Sequence, residues 1–435
     1  MIIIYIAIII YRSYAIQHQQ SFTPLTKQME TFKMSFIIGI RNRILRVLYR
    51  LARPLIFLMD PENAHYSLKR IGVFLGSNPL TRWLTSLLFD YGNKRLNIEV
   101  DGIKYRNPVG LSAGFDKDGE LTSIYPSLGF GLAELGSFTG EVCPGNPGKR
   151  LFRMVKSKSI VVWYGLNNFG AEKISKRLQN VDFGRLRVGI NAAKSNVTPT
   201  FELQESIRDY LKTMTLFKDI GDYYTINISC PNTQDGEPFV DPDNLDALLA
   251  AVNEHIRPIS DKPIYLKLAA DMSIAEIDTI IDGVLKHKLE GVVLTNLAKP
   301  EGNNEHIAAE YPTNLGLLPK GKGAMSGLPL QRISTNVIRH VYRRTRGELT
   351  IIGVGGIFTA KDAYEKITSG ASLLHMITTM IFDGPQNINE INRGLVKLLK
   401  ADGFNSIEEA VGSRNPLPII KEVPTAKTET EKKVA

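Results

Sequence analysis

Cys230 closes an apolar run, Tyr223 to Ile228, and is followed by a proline, with two carboxamides, Asn227 and Asn232, on either side. A thiol ionises at about pH 8.5, far nearer neutrality than an alcohol, so a cysteine at the end of a strand is a candidate general base or nucleophile. A buried, inert thiol is the bland alternative. The flanking amides, able to hold a polar ring, favour chemistry. Two lysines stand where solvated charges do not belong: Lys117, in Ser-Ala-Gly-Phe-Asp-Lys, and Lys267, inside the apolar run Tyr-Leu-Lys-Leu. An unpaired ammonium is costly to bury, so each must meet an anion or electron-rich group, a structural ion pair being one solution. Gly353-Val-Gly-Gly356 and Met376 to Thr378 are turns of the kind whose backbone amides hold a phosphoryl group, although a tight turn alone would use the same glycines. The two cysteines, Cys143 and Cys230, make no Cys-x-x-Cys pair and the seven histidines are scattered, so no metal site or disulfide framework is expected.

These residues need a scaffold that gathers strand ends. From Asn97 onward short Val/Ile/Leu-rich runs alternate with amphipathic stretches: 109–113, 132–137, 186–191, 223–229, 264–269, 291–295, 349–354 and 372–376. Eight such runs with helical patterns between them predict an α/β fold, a (β/α)8 TIM barrel. Nearly every run closes on, or is soon followed by, glycine or a polar residue, and in such barrels the strand C-termini surround one site. The interval between the second and third runs is long, carries Pro144 and Pro147, and reads as a hairpin inserted over the barrel mouth.

The net charge of +9 is unevenly placed. Residues 1–95 hold 13 Lys and Arg against 4 Asp and Glu, leaving 40 of each in the remaining chain. In Arg41 to Met59, Ile44, Val47, Leu48, Leu51 and Leu55 form an apolar helical face opposite Arg43, Arg46, Arg50 and Arg53; further apolar helical patterns run over His65 to Leu75 and Trp83 to Phe89. Basic amphipathic helices of this kind lie in the headgroup plane of a membrane. The expected division is an apolar extension or weak anchor over 1–40, an amphipathic helical domain over 41–95, the barrel over 96–413 and a disordered tail over 414–435. Met1 to Ile10 is about half the length that spans a bilayer and lacks the charged start of a secretory signal.

With these residues assembled, the chain resembles the dihydroorotate dehydrogenase family, and within it the membrane-associated, quinone-reducing class. The resemblance runs from about Leu48 to Ser413. It is carried by Asp60-Pro-Glu-Asn-Ala-His65, Asn107-Pro-Val-Gly-Leu-Ser-Ala-Gly-Phe-Asp-Lys-Asp-Gly-Glu120, Gly145-Asn-Pro, Tyr164-Gly-Leu-Asn-Asn168, Cys230-Pro-Asn-Thr233, Thr295-Asn296, Ser326-Gly327 and Ile351-Ile-Gly-Val-Gly-Gly356. The resemblance implies an FMN-dependent barrel that oxidises dihydroorotate to orotate in pyrimidine synthesis with quinone as acceptor. It implies flavin contacts at Ala113, Gly114, Lys117, Ser137, Asn191, Asn227, Lys267, Thr295, Ser326, Gly327, Gly355, Gly356 and Thr378. Substrate contacts are implied at Lys117, Asn167, Asn227, Asn232 and Asn296, the base at Cys230, and a quinone tunnel at His65 and Arg153. It also implies peripheral seating on the cytoplasmic side of a bacterial inner membrane, with the mitochondrial inner membrane as the alternative.

Several positions depart from that class. Cys230 stands where it carries serine, cysteine being the habit of the soluble class that reduces fumarate or NAD. Val162 replaces an asparagine, Leu166 a phenylalanine, Leu297 a hydroxyl residue and Ile377 a tyrosine. The rival readings are a soluble-class enzyme, a flavin enzyme acting on another dihydropyrimidine, and a dihydrouridine synthase-like enzyme acting on RNA. The last would want a basic barrel surface, whereas the barrel is neutral. No nucleic acid and no obligate protein partner are expected.

Overall fold

The parallel strands read as unbroken apolar runs because both of their faces are covered. Every residue of Tyr223–Asn227 and of Ile264–Leu268 is buried. The computed structural model describes residues 24–197, 202–230, 237–299, 311–319 and 321–417, with side chains from Phe36 onward. The stretch Met1 to Ile10, Asn232 and the chain after residue 417 lie outside the described residues. The chain divides into two compact units, 1–53 and 54–435.

In the first unit the chain is a single helix from Pro24 onward, carrying the arginines 41, 43, 46, 50 and 53. That helix, α1 (Pro24–Leu58), continues past the boundary between the units. The second unit follows with α2 (Pro61–Gly76) and α3 (Pro79–Phe89), each begun by a proline behind a capping side chain, Asp60 and Asn78. Sequence periodicity placed the start of α2 at His65; the Asp60 cap carries it one turn further back.

A hairpin of β1 (Ile98–Val100) and β2 (Ile103–Tyr105) leads into the barrel. Its turn residue Asp101 accepts the Tyr265 hydroxyl at 2.6 Å. The barrel strands are β3 (Val109–Leu111), β4 (Leu132–Phe138), β7 (Arg187–Ala193), β8 (Tyr223–Asn227), β9 (Ile264–Leu268), β10 (Gly291–Leu294), β12 (Thr350–Val354) and β13 (Leu373–Met376). They close in chain order, β13 pairing with β3 and every pair parallel. The eight runs picked out in the sequence are these eight strands, and the (β/α)8 barrel is the fold.

The outer layer includes α4 (Ala171–Leu178), α5 (Leu203–Leu216), α6 (Pro242–His255), α7 (Ile274–Lys286), α8 (Leu330–Arg344), α9 (Ala360–Thr368), a short α10 (Thr378–Asp383) and α11 (Gln386–Ala401). The insertion after β4 is the expected hairpin, β5 (Leu151–Met154) with β6 (Ser159–Val162), but a third strand joins it. That strand, β11 (Ala324–Gly327), comes from the segment after β10 and pairs antiparallel with β6. The hairpin is tied to α2 by the ion pair of Glu62 with Arg150.

Candidate active site

The C-terminal ends of the barrel strands open into one cavity of about 1320 Å³, its open mouth included. Each wall is supplied by a different element. Ala113 and Gly114 follow β3, Ser137 lies on β4, and Asn227 and Cys230 come from the end of β8. Lys267 stands on β9, Thr295 and Asn296 follow β10, and Gly355 and Gly356 follow β12. Thr378 opens α10, Ser326 and Gly327 come from β11, and His65 from α2; Lys117 and Asn167 come from loops. Among the described residues, two predicted ones are not in this wall, Asn191 and Arg153. The Asn191 side chain is fully buried and donates to Glu134 Oε1 at 2.7 Å. The Arg153 guanidinium donates to the carbonyls of Phe57 (3.0 Å) and Met59 (2.8 Å) and lies over the Phe57 ring. It closes the carbonyl end of α1, as a cation near a helix C-terminus does.

Cys230 is half-buried. The backbone leading to it is pinned from several directions. Ser229 Oγ donates to the Lys267 carbonyl at 2.9 Å, and Asn296 Nδ2 donates to the Ser229 carbonyl at 2.7 Å. Asn227 Nδ2 donates to Ser137 Oγ at 3.0 Å, while its Oδ1 accepts from Ser229 N at 3.2 Å. The carboxamides of Asn227 and Asn296 are thus locked by packing before any ligand arrives. Asn167 is held likewise, its Nδ2 donating to the Pro144 carbonyl at 2.7 Å. A site fixed in this way orients a ligand without reorganising.

Lys267 has found an ion pair. Its Nζ lies 3.0 Å from Glu134 Oε1, both side chains essentially without exposure. Glu134 also accepts from Thr225 Oγ1 at 2.9 Å, and His375 Nδ1 lies 3.6 Å away. Burial alone would raise the Glu134 pKa; the charge of Lys267 and the hydrogen bonds from Lys267 and Thr225 outweigh it and hold the carboxyl below its ordinary value. His375 is driven down to about 4 by burial, with Lys267 adding and Glu134 opposing, and its Nε2 meets the Tyr223 hydroxyl at 3.2 Å. Glu134 and His375 escaped the sequence reading. The available signal was the one that exposed Lys267, a titratable residue inside an apolar run: Leu-Ala-Glu-Leu and Leu-Leu-His-Met.

Lys117 is different. Among the described residues no carboxylate pairs with it, and its ammonium sits 3.9 Å above the centre of the Tyr164 ring. Burial and the charge of Lys69 lower its pKa to about 8, with Asp118 and Glu62 opposing. His65 is pushed to about 3 by burial and by Lys117 and Lys69, so it is a neutral ring, packed edge-to-face on Phe115 at 5.0 Å. A half-buried cation without a counter-charge inside a cavity marks where an anionic ligand group belongs. The remaining wall is apolar, with Leu151, Ile160, Val162, Leu166, Leu297 and Ile377 among its residues.

The family profile described as Dihydroorotate dehydrogenase matches residues 95–399. A protein of Gloeobacter violaceus named Dihydroorotate dehydrogenase (quinone) is 38% identical over 365 residues, covering 84% of this chain and 98% of that one. One of the same name from Nostoc punctiforme is 39% identical over 369 residues, covering 82% and 96%. A crystal structure of DHODH in complex with ferulenol, from Eimeria tenella, superposes with a TM-score of 0.71 at 27% identity, covering 81% of this chain and 95% of that one. Barrel, cavity and relatives agree, and the chain belongs to the dihydroorotate dehydrogenase family.

Proposed function

We propose that the chain oxidises dihydroorotate to orotate in pyrimidine biosynthesis, with FMN as its cofactor and a quinone as electron acceptor. The observation that carries this reading is one cavity holding the Cys230 thiol, the uncompensated Lys117 ammonium and a rim of glycines and hydroxyls. The family is flavin-dependent as a whole, and the residues present suit such a group. Gly114, Gly327, Gly355 and Gly356 all have positive φ, between 69° and 112°, so backbone rather than side chain faces the space there. Among the described residues the buried Thr295 hydroxyl has no partner, an orphan a ligand would satisfy. Ser326 Oγ and Thr378 Oγ1, 2.9 Å apart, offer hydroxyls beside the Gly355-Gly356 turn, where the phosphoryl group would be held. Ala113, Ser137 and Lys267 would line the ring, with Asn191 behind them fixing Glu134.

FMN, when bound, supplies the hydride acceptor and the donor of electrons to quinone. The chain's residues do the rest. Lys117 attracts the substrate carboxylate, and the carboxamides of Asn167, Asn227 and Asn296 bind the ring; Asn232, two residues after Cys230 in the sequence, is assigned to the same set. Cys230, as thiolate, removes the proton from the carbon beside the ring carbonyl, while the neighbouring carbon gives up its hydrogen with the bonding pair. The new carbon–carbon double bond forms from the electrons the departing proton leaves behind. The apolar wall excludes water and so strengthens the attraction between Lys117 and the carboxylate.

The quinone would approach along the apolar wall past His65, with Arg153 holding the end of α1 nearby in sequence to the α2 turn. No described helix is long and apolar enough to cross a membrane. Leu68, Ile71 and Phe74 of α2 and Leu80, Trp83 and Leu84 of α3 are exposed, a surface suited to peripheral seating on the lipid that carries the quinone. Replacing Ile71, Phe74 and Trp83 together by serine is expected to weaken binding to anionic vesicles on the order of a hundredfold, from the apolar area lost. Flavin reduction by dihydroorotate should be unchanged. Turnover with a long-chain quinone should fall, and that with fumarate or NAD should be negligible throughout. Efficient turnover with fumarate or NAD, or vesicle binding indifferent to the triple change, would overturn this part of the reading.

A further inference from the structure

Lys366, on α9, is fully buried, rare for a residue that almost never loses all contact with water unless paired. Its Nζ donates to Ser334 Oγ at 2.9 Å, to Thr335 Oγ1 at 3.1 Å and to the Gln331 carbonyl at 3.3 Å, all neutral acceptors near the start of α8. Among the described residues no carboxylate pairs with it. Asp362, one turn earlier on α9, is taken by Gln331 Nε2 and by the cap of that helix, and Glu365 by Arg339. Burial lowers the Lys366 pKa to about 7; the charges of Glu365 and Asp362 oppose this and that of Arg339 adds to it. Three hydrogen bonds satisfy the donors but bring no counter-charge.

The acceptors of Lys366 are the support of the glycine turn. Ser334 Oγ in turn donates a hydrogen bond to the carbonyl of Val354, the last residue of β12 before Gly355-Gly356. A Cβ on Gly356 would fall 2.4 Å from Gln331 Cα, and one on Gly355 would fall 3.2 Å from Leu330 Cβ. The turn therefore lies directly on the first residues of α8, and Lys366 grips the Gln331 carbonyl and the Ser334 hydroxyl of that same stretch. An anion bound on the amides of the turn would supply the charge that Lys366 lacks.

We propose that Lys366 is a positioning residue for the cofactor's phosphoryl group: it braces the Gly355-Gly356 turn through Ser334 and Gln331 and places a buried positive charge behind it. This rests on the FMN reading above. Retention of a phosphorylated flavin then depends on the protonation of this one lysine, whereas a flavin without phosphate is indifferent to it.

FMN and riboflavin differ by the phosphoryl group, and their dissociation constants for the full chain can be compared by flavin fluorescence. In Lys366→Met the FMN constant is expected to rise on the order of tenfold, from loss of one charge interaction at short range. The riboflavin constant should hold, and Lys366→Arg should restore most of the FMN affinity. In the unmodified chain the preference for FMN over riboflavin should decline as pH rises from about 7, because the protonated lysine attracts phosphate and the neutral one does not. The phosphate's own second ionisation, near pH 6, is complete over that range. Equal losses for both flavins in Lys366→Met, or a preference flat with pH in the unmodified chain, would overturn the proposal while leaving FMN binding intact. The pH series needs no variant, so it decides the matter even where Lys366→Met does not fold. Binding of neither flavin by the unmodified chain would remove the FMN reading itself, and the proposal with it.

Discussion

Cys230→Ala is expected to slow flavin reduction by dihydroorotate by about 10²- to 10⁴-fold, the range over which a positioned base contributes. Flavin content should be unchanged. Cys230 lies in the cavity wall, but the backbone that sets its position is held by Ser229, Asn227 and Asn296, so removing the sulfur leaves the wall standing. Anaerobic mixing isolates this step, because quinone re-oxidation does not enter. Cys230→Ser should fall between the two, since an alcohol in the same place is a weaker base near neutrality. Its rate should gain more from rising pH than that of the unmodified chain, because an alcohol in general ionises far above a thiol. Near-normal reduction by Cys230→Ala would take the thiol out of the mechanism.

The second large effect belongs to Glu134, which touches no solvent. Glu134→Gln removes the counter-charge of Lys267 and aims an amide donor into a set of donors, Lys267 Nζ, Asn191 Nδ2 and Thr225 Oγ1. Breaking a buried pair from one side is expected to destabilise the fold by about 3–5 kcal/mol, read by denaturant melting of the loaded protein. Replacing both partners, Glu134→Leu with Lys267→Met, should recover most of that loss, because no uncompensated charge remains. Flavin reduction should not recover, since Lys267 faces the cavity. A double variant as unstable as Glu134→Gln would show that the pair is not the source.

The same cluster sets an acid limit. The folded-state pKa of Glu134 lies below its ordinary value, so its contribution is present above about pH 4.3 and fades as pH falls through the folded value. His375 acts in the same direction at higher pH. It is held neutral down to about pH 4 in the folded protein but takes a proton near 6.5 when unfolded, so stability declines as pH drops through that interval. Glu134→Gln, already destabilised at pH 7, should therefore lose less of its remaining stability on acidification than the unmodified chain.

The barrel was legible in the sequence because its strands are buried on both faces and read as apolar runs that close on, or are soon followed by, glycine or polar residues. Lys267 betrayed itself by breaking such a run. Its partner Glu134 breaks another in the same way, 133 positions away along the chain, and nothing local says that the two meet. The third strand of the inserted sheet escaped for a related reason: β11 pairs with β6 across most of the barrel, and a four-residue segment has no periodicity of its own. Asn191 and Arg153 make hydrogen bonds that their positions in the sequence do not announce. One turns inward to a carboxylate that the sequence did not single out, and the other spends its guanidinium on helix carbonyls. Hydrogen-bond partners of that sort are set by tertiary packing.

The measurement that bears most directly on the whole account is anaerobic mixing of the purified, yellow protein with dihydroorotate, followed by flavin absorbance. The account predicts that the absorbance bleaches without any added acceptor and returns when a quinone is supplied. Flavin absorbance unchanged by dihydroorotate, yet bleached by dithionite, would contradict it.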